Sequence, residues 1–195
     1  MNPSDTEKFQ QDIDPCLDVL RAGGLILYPT DTIWGLGCDA TNPAAVAKIF
    51  ALKQRAESKS LIVLMADQRD ILHYTSQPDL RIFDYLQTVE KPTTVIYEGP
   101  MGLADNLVSS DNTVAIRLVN EPFCRHLIRR LRRPLVSTSA NISGQAAPSF
   151  FEEVSPLIRE GVDYVVQYRQ EDRTPRQPSA IVKWNKDATV MIIRP

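Results

Sequence analysis

Cysteine and histidine are scarce in this chain. Its 195 residues include three cysteines and two histidines. Cys16, Cys38 and Cys124 are odd in number, lie at least 22 positions apart and form no Cys-x-x-Cys pair. This pattern argues against both a disulfide framework and a zinc ribbon. With His73 and His126 as the two imidazoles, a histidine-rich metal centre is not expected either.

Long apolar runs and the common nucleotide-binding patterns are missing as well. No stretch approaches the ~20 apolar residues of a membrane span, and residues 1–10 are too acidic and polar for a signal peptide. Neither Gly-x-Gly-x-x-Gly nor Gly-x-x-x-x-Gly-Lys-Ser/Thr occurs. The composition, 43% hydrophobic and 24% charged, is that of a globular protein. We expect a soluble, reduced protein of the cytoplasm with no membrane contact.

The net charge of −2 hides an uneven distribution along the chain. Residues 1–40 contain two basic and seven acidic side chains, whereas residues 117–133 contain six arginines and one glutamate. A basic cluster of this size attracts polyanions such as nucleotide phosphates or RNA. Beyond Arg117, however, the arginines have helical spacing and no interleaved aromatic residue, which favours a solvated helix face.

Strand and helix patterns alternate along the chain, which predicts one α/β or α+β domain with a largely buried mixed sheet. Caps and prolines at Asp14-Pro15, Asn42-Pro43 and Ser149 indicate three helix starts, and the last two of these helices end near 53 and at 161. Further helices are predicted at 67–74, 78–89 and 121–132. Strands are predicted at 25–28, 61–65, 93–97, 113–118, 134–137, 162–167, 180–184 and 190–193, with a polar loop at 168–178.

Three polar segments lie where α/β sheets place ligands, at strand ends and helix ends. The first, YPTDTIWGLG at 28–37, combines two threonines, an aspartate and two glycines, although a turn of this composition usually has no function. The second, Lys53-Gln54-Arg55 with Lys59 following, is a phosphate clamp if the helix ends there, or else a favourable helix C-terminus. The third, STSANISG at 137–144, offers four hydroxyls and an amide as neutral donors.

These segments, in this order, resemble the YrdC/Sua5 family of threonylcarbamoyl-AMP synthases in its short, single-domain form. The matching stretches are YPTDTIWGLGCDA (28–40), KQR (53–55), TVAIRL (113–118), PLVSTSANISG (134–144) and PSAIVKW (178–184). The resemblance spans about residues 14–194. It implies a single YrdC-like domain over residues 1–195, with a twisted mixed β-sheet, flanking helices and a concave basic face.

The resemblance also implies an activity. Members of the family are nucleotidyltransferases that join L-threonine, bicarbonate and ATP into threonylcarbamoyl-AMP and pyrophosphate. The product is passed to the machinery that forms N6-threonylcarbamoyladenosine at position 37 of tRNA. Mg²⁺ is expected to accompany ATP, without a dedicated protein ligand, and contact with tRNA or double-stranded RNA is a further expectation.

The family's site residues carry over onto matching positions of this sequence. The catalytic set, which would contact the nucleotide phosphates, is Lys53, Arg55, Ser139 and Asn141. Further ATP-binding residues are Thr113, Ser143 and Arg194. The threonine-binding residues are Thr30, Thr32, Arg117, Ser137 and Ser179, with Arg117 meeting the carboxylate.

The sequence departs from the family pattern in four respects. The chain ends at Pro195 without the C-terminal domain of Sua5-type members, so any cover over the nucleotide must come from elsewhere. Leu64 replaces a histidine of those members, Ala56 replaces the usual proline after the KxR motif, and the late motif keeps only Ser179.

Two other functions remain open at this stage. One is an RNA-binding or ribosome-maturation protein of the same fold without synthase activity, which the SAN motif at 139–141 disfavours. The other is a carbamoyl-adenylate-forming relative that uses a different carbamoyl source.

Overall fold

The computed structural model describes residues 7–56, 60–185 and 187–195. Lys59 and most of the N-terminal stretch considered above as a signal peptide lie outside them. The helices are α1 (Gln10–Arg21), α2 (Pro43–Leu52), α3 (Gln68–Tyr74), α4 (Arg81–Thr88), α5 (Pro122–Leu131) and α6 (Pro156–Glu160), with 3₁₀ turns at Asp105–Leu107 and Phe151–Glu153. The strands are β1 (Ile26–Tyr28), β2 (Gly35–Gly37), β3 (Ile62–Met65), β4 (Thr93–Glu98), β5 (Thr113–Leu118), β6 (Leu135–Ser139), β7 (Tyr164–Val165), β8 (Ala180–Trp184) and β9 (Val190–Arg194).

The strands form one mixed sheet in the order β7-β1-β2-β6-β3-β5-β4-β8-β9. Pairs β1/β7, β3/β5 and β4/β8 are parallel, and the other neighbours are antiparallel. The predicted mixed sheet is therefore confirmed. Within the described residues, no helix is both long and apolar enough to traverse a bilayer.

Helices cover both faces of the sheet, as the two-faced burial of its central strands requires. In β3, Val63 and Met65 pack in the cluster that contains α2, α3 and α4, whereas Leu64 packs with α1 and α5. A third cluster around Trp34 and Leu36 packs against the 3₁₀ turn Phe151–Glu153 and α6. Side chains of one strand thus alternate between two cores, which fixes the register of the strand.

Helix α2 follows the cap signal of its sequence. Its N-cap residue, Asn42, accepts hydrogen bonds through Oδ1 from the backbone N–H groups of Ala44 and Ala45, and Pro43 occupies the first helical position. These bonds satisfy N–H groups that have no partner within the helix. The start predicted from Asn42-Pro43 is confirmed.

Helix α1 begins at Gln10, so the start predicted from Asp14-Pro15 is wrong. Pro15 lies inside the helix, where its ring removes one backbone hydrogen bond. Tertiary contacts override this local signal. The fully buried carboxylate of Asp12 accepts from Tyr164 Oη at 2.7 Å and from the backbone N–H groups of Gln167 and Tyr168 at 2.9 and 3.0 Å.

The helix predicted to begin at Ser149 is also displaced. The 3₁₀ turn Phe151–Glu153 comes first, and α6 then begins after Ser155, whose Oγ accepts from Ile158 N. The physical reason is Pro156, because the residue before a proline avoids the helical region and interrupts a helix that would run from 149. Glu153 rather than Glu152 closes the turn, by accepting from Ser149 N.

Strand β2 was not predicted from the sequence. It consists of Gly35, Leu36 and Gly37, and glycine weakens strand signals. A Cβ at Gly37 would lie 2.6 Å from Tyr28 Cε1 and 2.7 Å from Val136 O, so the close approach of β1 and β6 requires glycine there. This strand places the β1–β2 loop beside the C-terminal end of β6.

The contacts of Asp12 predict a specific stability effect. Asp12→Ala removes the acceptor of two backbone N–H groups and of the Tyr164 hydroxyl, and should lower the free energy of unfolding by about 2–4 kcal/mol. Asp14→Ala, in the same helix, is the control, because Asp14 is exposed and its ion pair with Arg130 should contribute no more than about 0.5 kcal/mol. Urea unfolding of both variants measures the difference, and equal losses would contradict the assignment.

Candidate active site

The three polar segments identified in the sequence meet at one cavity of about 340 Å³. Pairing of β2 with β6 places Gly35 opposite Ser139, and pairing of β6 with β3 places Ser137 opposite Ile62. The cavity is lined by residues of the β1–β2 loop, the segment after α2, strands β5 and β6, the turn after β6, and strands β8 and β9. Predicted site residues among them are Thr32, Arg55, Arg117, Ser137, Ser139, Asn141, Ser179 and Arg194.

The lining is positively charged. Arg55, Arg117 and Arg194 contribute guanidinium groups, and the part of the lining that the structure describes contains no aspartate or glutamate. Burial lowers the pKa of Arg55, and burial followed by the nearby charge of Arg117 lowers that of Arg194. The cavity thus concentrates positive charge where solvent is limited, which is an environment that binds anions.

Arg117 is held from one side by a carboxylate. Its side chain is 3% exposed, and its NH2 donates to Asp31 Oδ1 at 3.0 Å. Among the described residues, none lies within hydrogen-bond distance of the buried Arg117 Nε. Arg117 is therefore fixed in orientation and still has donor capacity for a ligand in the cavity.

Arg194 and Ser179 both line the cavity and contact each other. The guanidinium of Arg194 donates through Nε and NH2 to the carbonyl oxygen of Ser179, at 3.1 and 2.8 Å. The hydroxyl of Ser179 is 2.8 Å from Thr94 Oγ1 and is almost fully buried. Thr94, which also lies opposite Arg117 in the β4/β5 pair, was not identified from the sequence.

Lys53 lies behind the cavity and does not line it. It is 1% exposed, and its ammonium group donates to the backbone carbonyls of Ser139 and, at 2.6 Å, Asn141. In return, the carbonyl oxygen of Lys53 accepts from Ser143 N at 2.8 Å. Lys53 thus supports the turn after β6, and its predicted contact with the nucleotide phosphates stays a prediction.

Lys53 and Arg55 can form a phosphate clamp only if helix α2 ends before them, and α2 does end there. Helix α2 ends at Leu52, and Gln54 adopts a left-handed φ of 51°, so the helix does not continue through these residues. Arg55 then turns to the cavity, and its NH2 donates to Ser60 O at 2.9 Å. Lys53 and Arg55 therefore act from different depths, one behind the turn and one at the cavity wall.

The side chain of Asn141 stabilises the turn after β6. Its Nδ2 donates to the carbonyl oxygens of Ile142 and Gln145, at 3.0 and 2.7 Å. Its Oδ1 is buried and has no hydrogen-bond partner within the ranges the structure describes. Both amide hydrogens thus hold the turn after β6, and the contact with the nucleotide phosphates predicted for Asn141 stays a prediction.

Three other predicted residues support the site from outside the cavity. Thr30 Oγ1 accepts from Thr32 N at 3.0 Å and donates to Ile33 O at 2.8 Å, which shapes the β1–β2 loop. Thr113 Oγ1 donates to Asp111, and the backbone of Ser143 meets Lys53 as described above. Neither Thr30, Thr113 nor Ser143 lines the cavity.

The polar loop 168–178 packs against the β1–β2 loop. Arg169 donates through NH1 to Thr30 O at 3.0 Å and through Nε to Asp172 at 3.0 Å, and lies 3.7 Å from Glu121. Pro178 at its end lines the cavity. This loop therefore borders the site on one side.

A larger open groove of about 810 Å³ lies between α3, the end of α4 and α5. It contains none of the predicted site residues, and two of its charged side chains, Asp67 and Arg125, pair with each other. The remaining arginines of α5 are also paired: Arg129 with Asp67, and Arg130 with Asp14. This pairing agrees with the solvated helix face favoured by the sequence.

The burial of Lys53 predicts how stability responds to pH. Burial, and secondarily the charge of Arg55, lowers the pKa of Lys53 to about 8 from its ordinary value of 10.5. Between these values the unfolded chain binds a proton that the folded chain does not, so stability rises with pH across this window. A neutral amine still has two N–H groups for its two carbonyl partners.

We therefore expect the free energy of unfolding of the wild type to increase relative to that of Lys53→Met between pH 8 and 10.5. Below pH 8 the difference should be constant. Denaturant unfolding at several pH values measures it, with the exposed Lys91→Met as the control for the loss of one lysine. A difference that does not change with pH would show that Lys53 is not buried as described.

Comparison with known proteins finds a family model and several named relatives that are similar to this chain. Residues 18–195 match the Sua5, YciO and YrdC family model, described as telomere recombination. The chain is 36% identical over 146 residues to threonylcarbamoyl-AMP synthase of Idiomarina loihiensis, covering 73% of this chain and 78% of the relative. It is 31% identical over 175 residues to the threonylcarbamoyl-AMP synthase of Pseudoalteromonas translucida, covering 88% and 92%.

Solved structures share the fold at lower identity. P. abyssi Sua5 complexed with L-threonine superposes with a TM-score of 0.84 at 21% identity, over 95% of this chain and 54% of that one. E. coli YciO superposes with a TM-score of 0.81 at 22% identity, over 95% and 89%. The predicted fold class and the resemblance are thus confirmed, and the chain belongs to the Sua5/YciO/YrdC family.

Proposed function

We propose that this protein is an L-threonylcarbamoyladenylate synthase, a nucleotidyltransferase that converts L-threonine, bicarbonate and ATP into threonylcarbamoyl-AMP and pyrophosphate. One observation carries the proposal: the family's motifs converge on a single cavity whose described lining has three arginines and no carboxylate. Relatives named threonylcarbamoyl-AMP synthase, identical at 31–36%, support it.

The charge of the cavity suits the chemistry. The amine of threonine combines with bicarbonate to give a carbamate and water, and a carbamate oxygen then attacks the α-phosphorus of ATP while pyrophosphate leaves. Every reactant carries negative charge, so the reaction needs charge neutralisation and alignment more than a protein nucleophile. Fixed guanidinium groups supply both, because they do not have to reorganise as charge moves.

The residues divide by the substrate that each is suited to bind. Arg117, with Thr32, Ser137 and Ser179 around it, is suited to bind threonine, and Arg117 would meet the carboxylate. Arg55 and Ser139, with Arg194 in the terminal strand, are suited to the phosphates of ATP. Lys53 contributes by holding the turn that carries Ser139 and Asn141.

Mg²⁺ fits this site only as a companion of ATP. The described residues contain no cluster of three or more His, Cys, Asp or Glu that could hold a metal ion. Mg²⁺ keeps several waters and binds chiefly through the phosphates of its substrate, so a carboxylate cage is not required. When bound, the ion would neutralise charge on the phosphate oxygens.

We further propose that the protein acts in the cytoplasm and passes its adenylate product to the enzymes that form N6-threonylcarbamoyladenosine in tRNA. The alternative of an RNA-binding protein without synthase activity receives no support from α5, because its arginines Arg125, Arg129 and Arg130 are paired with aspartates of the same chain. Direct tRNA contact therefore does not form part of the proposal.

The proposed activity predicts that purified protein releases pyrophosphate from ATP only when both threonine and bicarbonate are present. Mass spectrometry should detect threonylcarbamoyl-AMP among the products. Replacing threonine and bicarbonate with carbamoyl phosphate tests the relative with a different carbamoyl source. Product formed from carbamoyl phosphate, and none from threonine, would overturn the assignment.

Arg55 provides the matching variant. Arg55→Ala removes a charged donor from the cavity wall and should lower kcat/KM for ATP roughly 10²- to 10³-fold, as expected when a charge-stabilising donor is lost. The control is Arg81→Ala, whose ion pair with Asp79 is exposed at the start of α4. It should keep wild-type kinetics, and equal losses in the two variants would mean that Arg55 acts only through the fold.

A further inference from the structure

Asp31 links the β1–β2 loop to the end of strand β5. One carboxylate oxygen, Oδ1, accepts from Arg117 NH2 at 3.0 Å, and the other, Oδ2, accepts from the backbone N–H of Asn120 at 3.1 Å. The Asp31 side chain is 11% exposed and does not line the cavity. It is therefore a largely buried partner of the site rather than a group that a ligand would touch.

The pair of Asp31 and Arg117 is incomplete as a closed ion pair. A guanidinium has five N–H donors, and one of them is used by Asp31. A buried Arg117 Nε has no partner in the part of the chain that the structure describes. A donor without a partner is costly in a cation that is 97% buried, and Arg117 lines the cavity, where a ligand can accept from its other N–H groups.

The geometry of the loop fixes the direction in which Arg117 faces. Thr30 and Thr32 of the same loop hydrogen-bond to each other, with Oγ1 atoms 2.9 Å apart, so Asp31 between them has little freedom. From this fixed base, Asp31 holds one edge of the guanidinium. Arg117 itself lines the cavity, together with Thr32 and Ser137.

We propose that Asp31 is a positioning residue that orients Arg117 to receive the α-carboxylate of the amino-acid substrate. The proposal rests on the proposed function. Asp31 has two opposite effects on a bound carboxylate, since its charge repels the anion while its hydrogen bond aligns the guanidinium. Alignment outweighs repulsion here, because Arg117 stands between the two carboxylates and binds each directly.

The test separates substrate positioning from a merely structural role. Asp31→Ala should raise KM for threonine about 10- to 100-fold, while KM for ATP changes less than about 3-fold. Asp31→Asn keeps one oxygen that accepts from Arg117, but an NH2 group replaces the oxygen that accepts from Asn120 N–H. This variant should raise KM for threonine by a smaller factor. Threonine binding measured by calorimetry should weaken in the same order.

A double-mutant cycle with Arg117→Lys provides the second readout. If Asp31 acts through Arg117, then Asp31→Ala should add less than about 3-fold to the KM for threonine in the Arg117→Lys background. Asp39→Ala is the matched control, since Asp39 is a buried carboxylate paired with Arg133 away from the cavity. It should lower stability and leave KM for threonine unchanged.

The outcomes distinguish the two proposals. A wild-type protein without threonine-dependent pyrophosphate release refutes the proposed function. An active wild type in which Asp31→Ala and Asp31→Asn leave KM for threonine unchanged, or raise KM for both substrates equally, overturns the role of Asp31. Additive effects of Asp31→Ala and Arg117→Lys would overturn it as well.

Discussion

The close approach of strands β1, β2 and β6 is the constraint on which the site depends. Gly37 lies against the ring of Tyr28 and the carbonyl of Val136, at distances that leave no room for a Cβ. The Tyr28 hydroxyl donates to Val136 O at 3.1 Å and ties β1 to β6 across this glycine. Because β2 can pair with both neighbours, the β1–β2 loop and the turn after β6 lie side by side. Two segments separated by a hundred residues thereby form one cavity.

Once these segments meet, the charges of the cavity have to be held in place. Burying a cation costs several kcal/mol unless hydrogen bonds replace its hydration. The chain provides such bonds mainly from its backbone. Arg194 is held by Ser179 O, Lys53 by the carbonyls of Ser139 and Asn141, and Arg117 by Asp31. Positive groups fixed before a ligand arrives are the arrangement that stabilises moving negative charge most effectively.

The sequence predicted those parts of the molecule whose signals are local. Asn42-Pro43 marks the start of α2, and the β-branched run at 113–118 matches β5. The predictions are wrong where a contact between residues distant in the sequence determines the local structure. Helix α1 extends past its apparent start because the buried Asp12 binds the backbone near 167, and no local pattern contains that information. Strand β2 has no strand signal, since its glycines are selected by two neighbouring strands.

The predictions for the candidate site show the same difference between local signals and distant contacts. Residue types identified the segments that contain Arg55 and Ser139, the resemblance added Arg117, and the structure brings all three to one cavity. Residue types do not specify direction, however. Lys53 turns to backbone carbonyls and Asn141 commits its amide hydrogens to the turn, so each supports the site in a way that its sequence motif does not show. Asp31 was visible as a carboxylate beside two threonines, but its partner lies 86 positions away.

The arrangement of charge also determines what kind of ligand the protein can recognise. Arginines on the surface of α5 are offset by Asp67 and Asp14, whereas those in the cavity face a lining that, over the described residues, has no carboxylate. Surface pairs between exposed groups weaken the field that a long polyanion would meet. In the cavity the same kind of charge is less screened, because solvent is limited there. The protein therefore directs its binding of anions to a site of about 340 Å³, which suits small reactants held by a few oriented donors.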